Sequence, residues 1–244
     1  MSDKPAAENP IDRMMERASN ALTETHYFEA RRDARLALRR ARAACDFDRM
    51  ARICPPLLEA ARQIRQQAEA TGEVLLVSNP ADVPRPLRAG CYLIQPPMIG
   101  ADARVLRDAA FKAKTPVSVL AREPLTKRGL WPIVGVGEIS VRVQIEPPVP
   151  LERVDGHITK DGFDGDVPLP WFQRAGEALG DAAIARIPDD LHPHWRVDEL
   201  LEALEAVPEH EGLHTALAEA CRAAVGTPEP GGRRPSPLDN PFSF

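Results

Sequence analysis

Aromatic side chains are scarce in this chain of 244 residues, 5% of the total. A core without them has to be built from Leu, Val, Ile and Ala, which suits closely packed helices. Cysteine is scarcer still. Cys45, Cys54, Cys91 and Cys221 stand alone, none in a C-x-x-C pair. That excludes a disulfide-stapled scaffold and a cysteine metal cluster, and leaves buried reduced thiols as the expectation. No stretch approaches the ~18 consecutive apolar residues of a membrane span. Met1 to Asn9 is polar, without the apolar segment of a signal peptide. A soluble, cytoplasmic protein of bacterial type, with no membrane contact, is the expectation. Gly135, Gly137, Gly156, Gly162 and Gly165 form no phosphate-cradling loop, and no G-x-S-x-G elbow is present. Asp161, Asp164 and Asp166 lack the closing Glu of an EF-hand loop.

What is present is proline, 25 residues, so element boundaries should be sharp, and a lopsided charge. Residues 1–150 hold 23 Lys and Arg against 18 Asp and Glu, a net of +5. Residues 151–244 hold 8 against 18, a net of −10. Two lobes of opposite sign should attract each other or a second copy.

Along the chain, 1–9 reads as a disordered lead and 10–71 as helical. Met14, Ala18, Ala21 and Leu22 recur at helical spacing after Pro10, and Ala30, Ala34, Ala37, Ala41 and Ala44 form a stripe of small residues on a second helix from about Tyr27 to Cys45. Asp46 should cap a short third helix that Pro55-Pro56 stops, with another running on to about Ala70. From Glu73 the pattern changes. Val74–Val77, Cys91–Ile94 and Val117–Leu120 read as strands, Gly100–Lys114 as a helix, and Trp131–Val136 with Ile139–Ile145 as a hairpin turning at Gly137-Glu138. The region 73–150 is then a small mixed sheet with one covering helix. Residues 151–168 read as a loop, 169–226 as a C-terminal helical bundle, and 227–244 as a disordered tail. The fold class is α+β.

Met14, Ala18, Ala21, Tyr27, Ala30, Ala34, Ala37 and Leu38 together resemble one tetratricopeptide repeat of about 34 residues. The resemblance implies two antiparallel helices brought close by small side chains, with an aromatic filling the space near the turn. Arg17 stands where that family usually has Leu, and Arg42 where it usually has Pro. A single repeat cannot bury its own apolar face, so neighbours must cover it.

Three groups of residues carry candidate chemistry. His210-Glu211-Gly212-Leu213-His214 has the spacing of zinc hydrolases, in which His210 and His214 would hold the metal and Glu211 would act as general base. Pro208 just upstream and Gly212 inside the motif argue for a helix start rather than a rigid helix interior. No third ligand stands at the family spacing, although His192, His194 and Glu219 remain available. Arg31, Arg35, Arg39 and Arg42 form a stripe at helical spacing, which serves nucleic-acid phosphates, a solvated face, or a dock for the acidic C-terminal lobe. Against nucleic acid stand the acidic total charge and the lack of interleaved aromatics. With no complete active site, the leading expectation is a non-enzymatic interaction or scaffold protein. It contacts a protein partner or a second copy through Tyr27, Phe28 and the arginine stripe, with no cofactor. A zinc hydrolase and a nucleic-acid binder are the alternatives.

Overall fold

A computed structural model describes residues 9–149, 153–154, 157–158, 163 and 165–232. Three helices come first: α1 (Pro10–Thr23), α2 (Tyr27–Ala43) and α3 (Phe47–Glu69). Asn9, within the expected lead, caps α1, its side chain accepting from the Ile11 N–H at 2.9 Å, with Pro10 at the first helical position. The rest of the lead and residues 233–244 of the expected tail lie outside the described residues.

The expected break at Pro55-Pro56 does not occur: both lie inside α3, which runs unbroken for 23 residues. Each proline removes a hydrogen bond, at a cost of ~3 kcal/mol in a helix interior. Against that, Phe47, Met50, Ile53, Cys54, Leu57 and Ile64 bury one continuous face, each large side chain contributing ~1.5–3 kcal/mol. Packing wins.

The middle region is a five-stranded sheet in the order β1 (Val74–Val77), β2 (Gly90–Ile94), β3 (Val117–Arg122), β4 (Trp131–Val136), β5 (Ser140–Ile145). The first three strands are parallel, with α4 (Gly100–Lys112) crossing between β2 and β3, and the last two are antiparallel. Alternation along each strand feeds two cores. Tyr92, Ile94, Val117 and Val119 pack with Ala103, Leu106 and Ala110 of α4. Cys91, Leu93, Leu120, Ile133 and Val141 face the opposite way, into a second core shared with α3 and with α5 (Leu169–Ala185), α6 (Pro193–Ala206) and α7 (Glu211–Ala224). The sheet is therefore covered on both faces, and one core joins the N-terminal helices, the sheet and the C-terminal helices. The class is α+β, with seven α-helices among the described residues. The stretch read as a loop also holds a short ladder, β6 (Arg153–Val154) against β7 (His157–Ile158). Among the described residues no helix is long and apolar enough to cross a membrane.

The sheet opens at one place. β2 and β3 pair at five positions, but β3 and β4 pair at only two, Ala121 with Val134 and Arg122 with Ile133. Where they diverge, the connection from α6 to α7 enters. Ser118 Oγ donates to Glu209 Oε2 at 2.6 Å. Arg107 of α4 donates to the carbonyls of Ala206, Glu205 and Val136 at 3.2–3.3 Å, a cation on the negative end of α6. Gly135 is required there, because a Cβ would stand 2.8 Å from the Ala206 carbonyl oxygen.

Candidate functional site

The alanine face of α2 lets α1 and α3 approach closely, with Ala30, Ala34, Ala37 and Ala41 all buried. The arginine face is thereby turned toward α6. Between α2 and α6 lies a cleft of about 410 Å³, within the range of small-ligand sites. Leu38 of α2, Leu57 of α3, Leu201 and Leu204 of α6, and Pro208 line its apolar floor, with the His214 ring beside them.

The four arginines read as a stripe have separate fates. Arg31 is buried, 5% exposed, its guanidinium 5.5 Å from the Phe111 ring centre. Burial holds its pKa down at about 10. Arg42 is spent internally: Nε and Nη2 donate to the two carboxylate oxygens of Asp198 at 2.6 and 2.8 Å, and that hydrogen bonding raises its pKa. Arg35 is half-buried and Arg39 exposed. Neither forms a hydrogen bond or ion pair with any described residue. Burial also lowers the Arg35 pKa, with Glu205 acting in the opposite sense. Phe28 packs on Phe111 at 5.7 Å between ring centres, and Tyr27 is half-buried beside it in sequence. Arg17, at the position unusual for the repeat family, ties α1 to α2 by donating to buried Asp33 at 2.9 Å.

The histidine motif is arranged differently from a metal-binding helix. His210 precedes α7 as its N-cap, with Nδ1 accepting from the Leu213 N–H at 3.2 Å and Nε2 facing Glu177 and Asp181 at 3.2 and 3.4 Å. His214 lies within the helix, its Nε2 3.1 Å from the Pro208 carbonyl. Its buried Nδ1 has no hydrogen-bond partner among the described residues, and burial lowers its pKa to about 4. Glu211 accepts from Arg62 at 2.7 and 3.1 Å and from Arg65 at 2.6 Å. The Arg62 hydrogen bonds lower its pKa, which weakens it as a base. His192 caps α6, and His194 packs on Phe47 at 4.5 Å with Nε2 toward the Thr227 carbonyl. Among the described residues no three His, Cys, Asp or Glu side chains gather as a metal site.

A smaller cavity, about 130 Å³, lies where β3 and β4 part, with Ser118, Glu209, Arg107, Arg65 and His210 on its walls. Burial pushes the Glu209 carboxyl above its ordinary pKa, against the Ser118 hydrogen bond and the charges of Arg31, Arg107 and Arg65. Sequence reasoning did not find this group. Its members come from a strand, a turn and two helices, and no spacing connects them.

The fold belongs to the α+β class and carries an arginine-walled, apolar-floored cleft between two helices. Compared with known proteins, the chain matches no family model, no curated protein and no solved structure.

Proposed function

We propose that this chain is a non-enzymatic interaction protein whose contact surface is the α2–α6 cleft, where it docks an anionic group of its partner. The tetratricopeptide-like hairpin of α1 and α2 supplies one wall and acts as a scaffold braced by α3. The observation that carries this reading is the pair Arg35 and Arg39, two guanidinia above an apolar floor with no acceptor among the described residues. Arg35, half-buried and without an acceptor, gains most from an incoming anion, and exposed Arg39 offers a second donor. The nucleic-acid alternative draws no support from an arginine stripe half consumed by Asp198 and by burial. The zinc-hydrolase alternative draws none from a Glu211 held by two arginines.

A photoreactive side chain placed at position 39, and at exposed Arg128 as a remote control, tests it in cells. The expected result is an adduct, read by intact mass, that forms at 39, is absent at 128, and disappears in an Arg35→Glu background. Equal adducts at both positions, or no adduct at 39, would contradict the proposal.

A further inference from the structure

The walls of the cleft are specific enough to name the chemistry of what enters it, an inference that rests on the cleft being the binding surface. Arg35 and Arg39 stand one helical turn apart on α2 and both line the cleft. The acidic groups around them are Glu205, Glu202 and Glu138, together with Asp198, which Arg42 already occupies. Glu205 acts on Arg35 at longer range, against the burial that lowers its pKa, but among the described residues no carboxylate is hydrogen-bonded to or ion-paired with Arg35 or Arg39. The floor, in contrast, is apolar. It is built from side chains of four segments, so it is concave rather than an open helix face. The lining that α2 contributes runs from Arg31 to Ala43, about 18 Å at 1.5 Å per residue. An apolar floor beside two cations that have no acceptor among the described residues fits an apolar body with one acidic head. The His214 ring beside the floor adds no competing charge, because burial keeps it neutral above about pH 4.

We infer that the α2–α6 cleft binds a small amphiphilic acid, its carboxylate held by Arg35 and Arg39 and its linear apolar body lying along Leu38, Leu57, Leu201 and Leu204. The ligand is a free organic acid. A partner-protein segment of similar chemistry is the competing occupant.

The test titrates the full chain with three probes kept below their micelle concentrations: decanoate, decyltrimethylammonium and acetate. Amide proton–nitrogen correlation spectra report each one. Decanoate is expected to saturate one site, with the largest shifts in the cleft-lining parts of α2, α3, α6, α7 and the turn after α6. Acetate has the head without the body, and the ammonium has the body with the wrong charge. Each should bind at least about tenfold more weakly. Arg35→Gln with Arg39→Gln should weaken decanoate by about tenfold or more. Leu201→Gln, on the half-buried floor, should weaken it too, with a correlation spectrum that remains that of a folded chain. Equal binding of decanoate and the ammonium, unsaturable binding, or affinity unchanged in the arginine variant would overturn the inference. A protein adduct at position 39 without decanoate binding would sink the small acid and leave the interaction reading standing. Failure of both experiments would remove both.

Discussion

Arg42 and Asp198 meet face to face, guanidinium against carboxylate, and fasten α2 to α6 across 156 residues of sequence. The pair closes one end of the cleft. Like the pairs of Arg62 and Arg65 with Glu211, it satisfies opposite charges of the two halves of the chain within one molecule. Both side chains are less than a third exposed, so the pair is partly shielded from water and contributes more than a surface ion pair would.

Asp198→Asn should therefore cost about 1–2 kcal/mol, because it leaves a half-buried guanidinium facing an amide. Adding Arg42→Gln should recover part of that loss, since neither partner then carries an unmatched charge. Urea unfolding of the two single variants and the double variant measures the coupling. Strictly additive losses would show that the pair does no more than fill space.

Two glycines one turn apart on α5 should behave in opposite ways. A Cβ at Gly180 would stand 2.0 Å from Cγ of His210, whereas one at Gly176 would find only Leu120 methyls at 4.0 Å. Gly176→Ala should raise stability by about 0.5–1 kcal/mol through helix propensity. Gly180→Ala should lower it by at least ~2 kcal/mol, because the buried His210 cap must move. Thermal midpoints of the two variants decide the matter.

Glu209 sets a pH dependence. Its folded-state pKa is raised by burial, so the folded chain holds this proton more tightly than the unfolded chain does. The associated stability is complete below the ordinary carboxyl value of 4.5 and is lost as pH rises through the folded value. The stability of the wild type relative to Glu209→Gln should accordingly fall as pH is raised from about 4.5. Paired denaturation curves across that range give the sign, and a rising difference would contradict the burial of this carboxyl.

His214 runs the other way. Its pKa is depressed from 6.5 to about 4, with burial as the main cause. Its contribution is present above 6.5 and lost as pH falls toward 4. The ring protons of His214 should titrate with a midpoint near 4. A midpoint near 6.5 would place the ring in water rather than against the cleft floor.

Much of this architecture is written locally. Helical spacing of Met14 and Ala18, and of Ala30, Ala34 and Ala37, places the first two helices. The alternation of Val141, Val143 and Ile145 with Arg142 and Gln144 places β5, with Arg142 and Gln144 exposed. Where a local signal met a distant one, the distant one prevailed. Pro55 and Pro56 signal a stop, but the buried face of α3 reaches α7 and the sheet and carries the helix through. The site was legible in half. Sequence spacing puts four arginines in a row, yet which are buried, paired or free depends on α6 and Phe111, and no periodicity on α2 reports them. Ser118 and Glu209 are 91 residues apart, and nothing in either neighbourhood singles them out.

The central claim is that Arg35 and Arg39 form the receiving end of a binding cleft, and native mass spectrometry of the chain purified from its own cells tests it most directly. The account predicts a bound species on the wild type, released when Arg35→Glu and Arg39→Glu are introduced together, with the thermal midpoint of the emptied protein unchanged. The same species retained on the double variant, or a bare chain in both preparations, would contradict it.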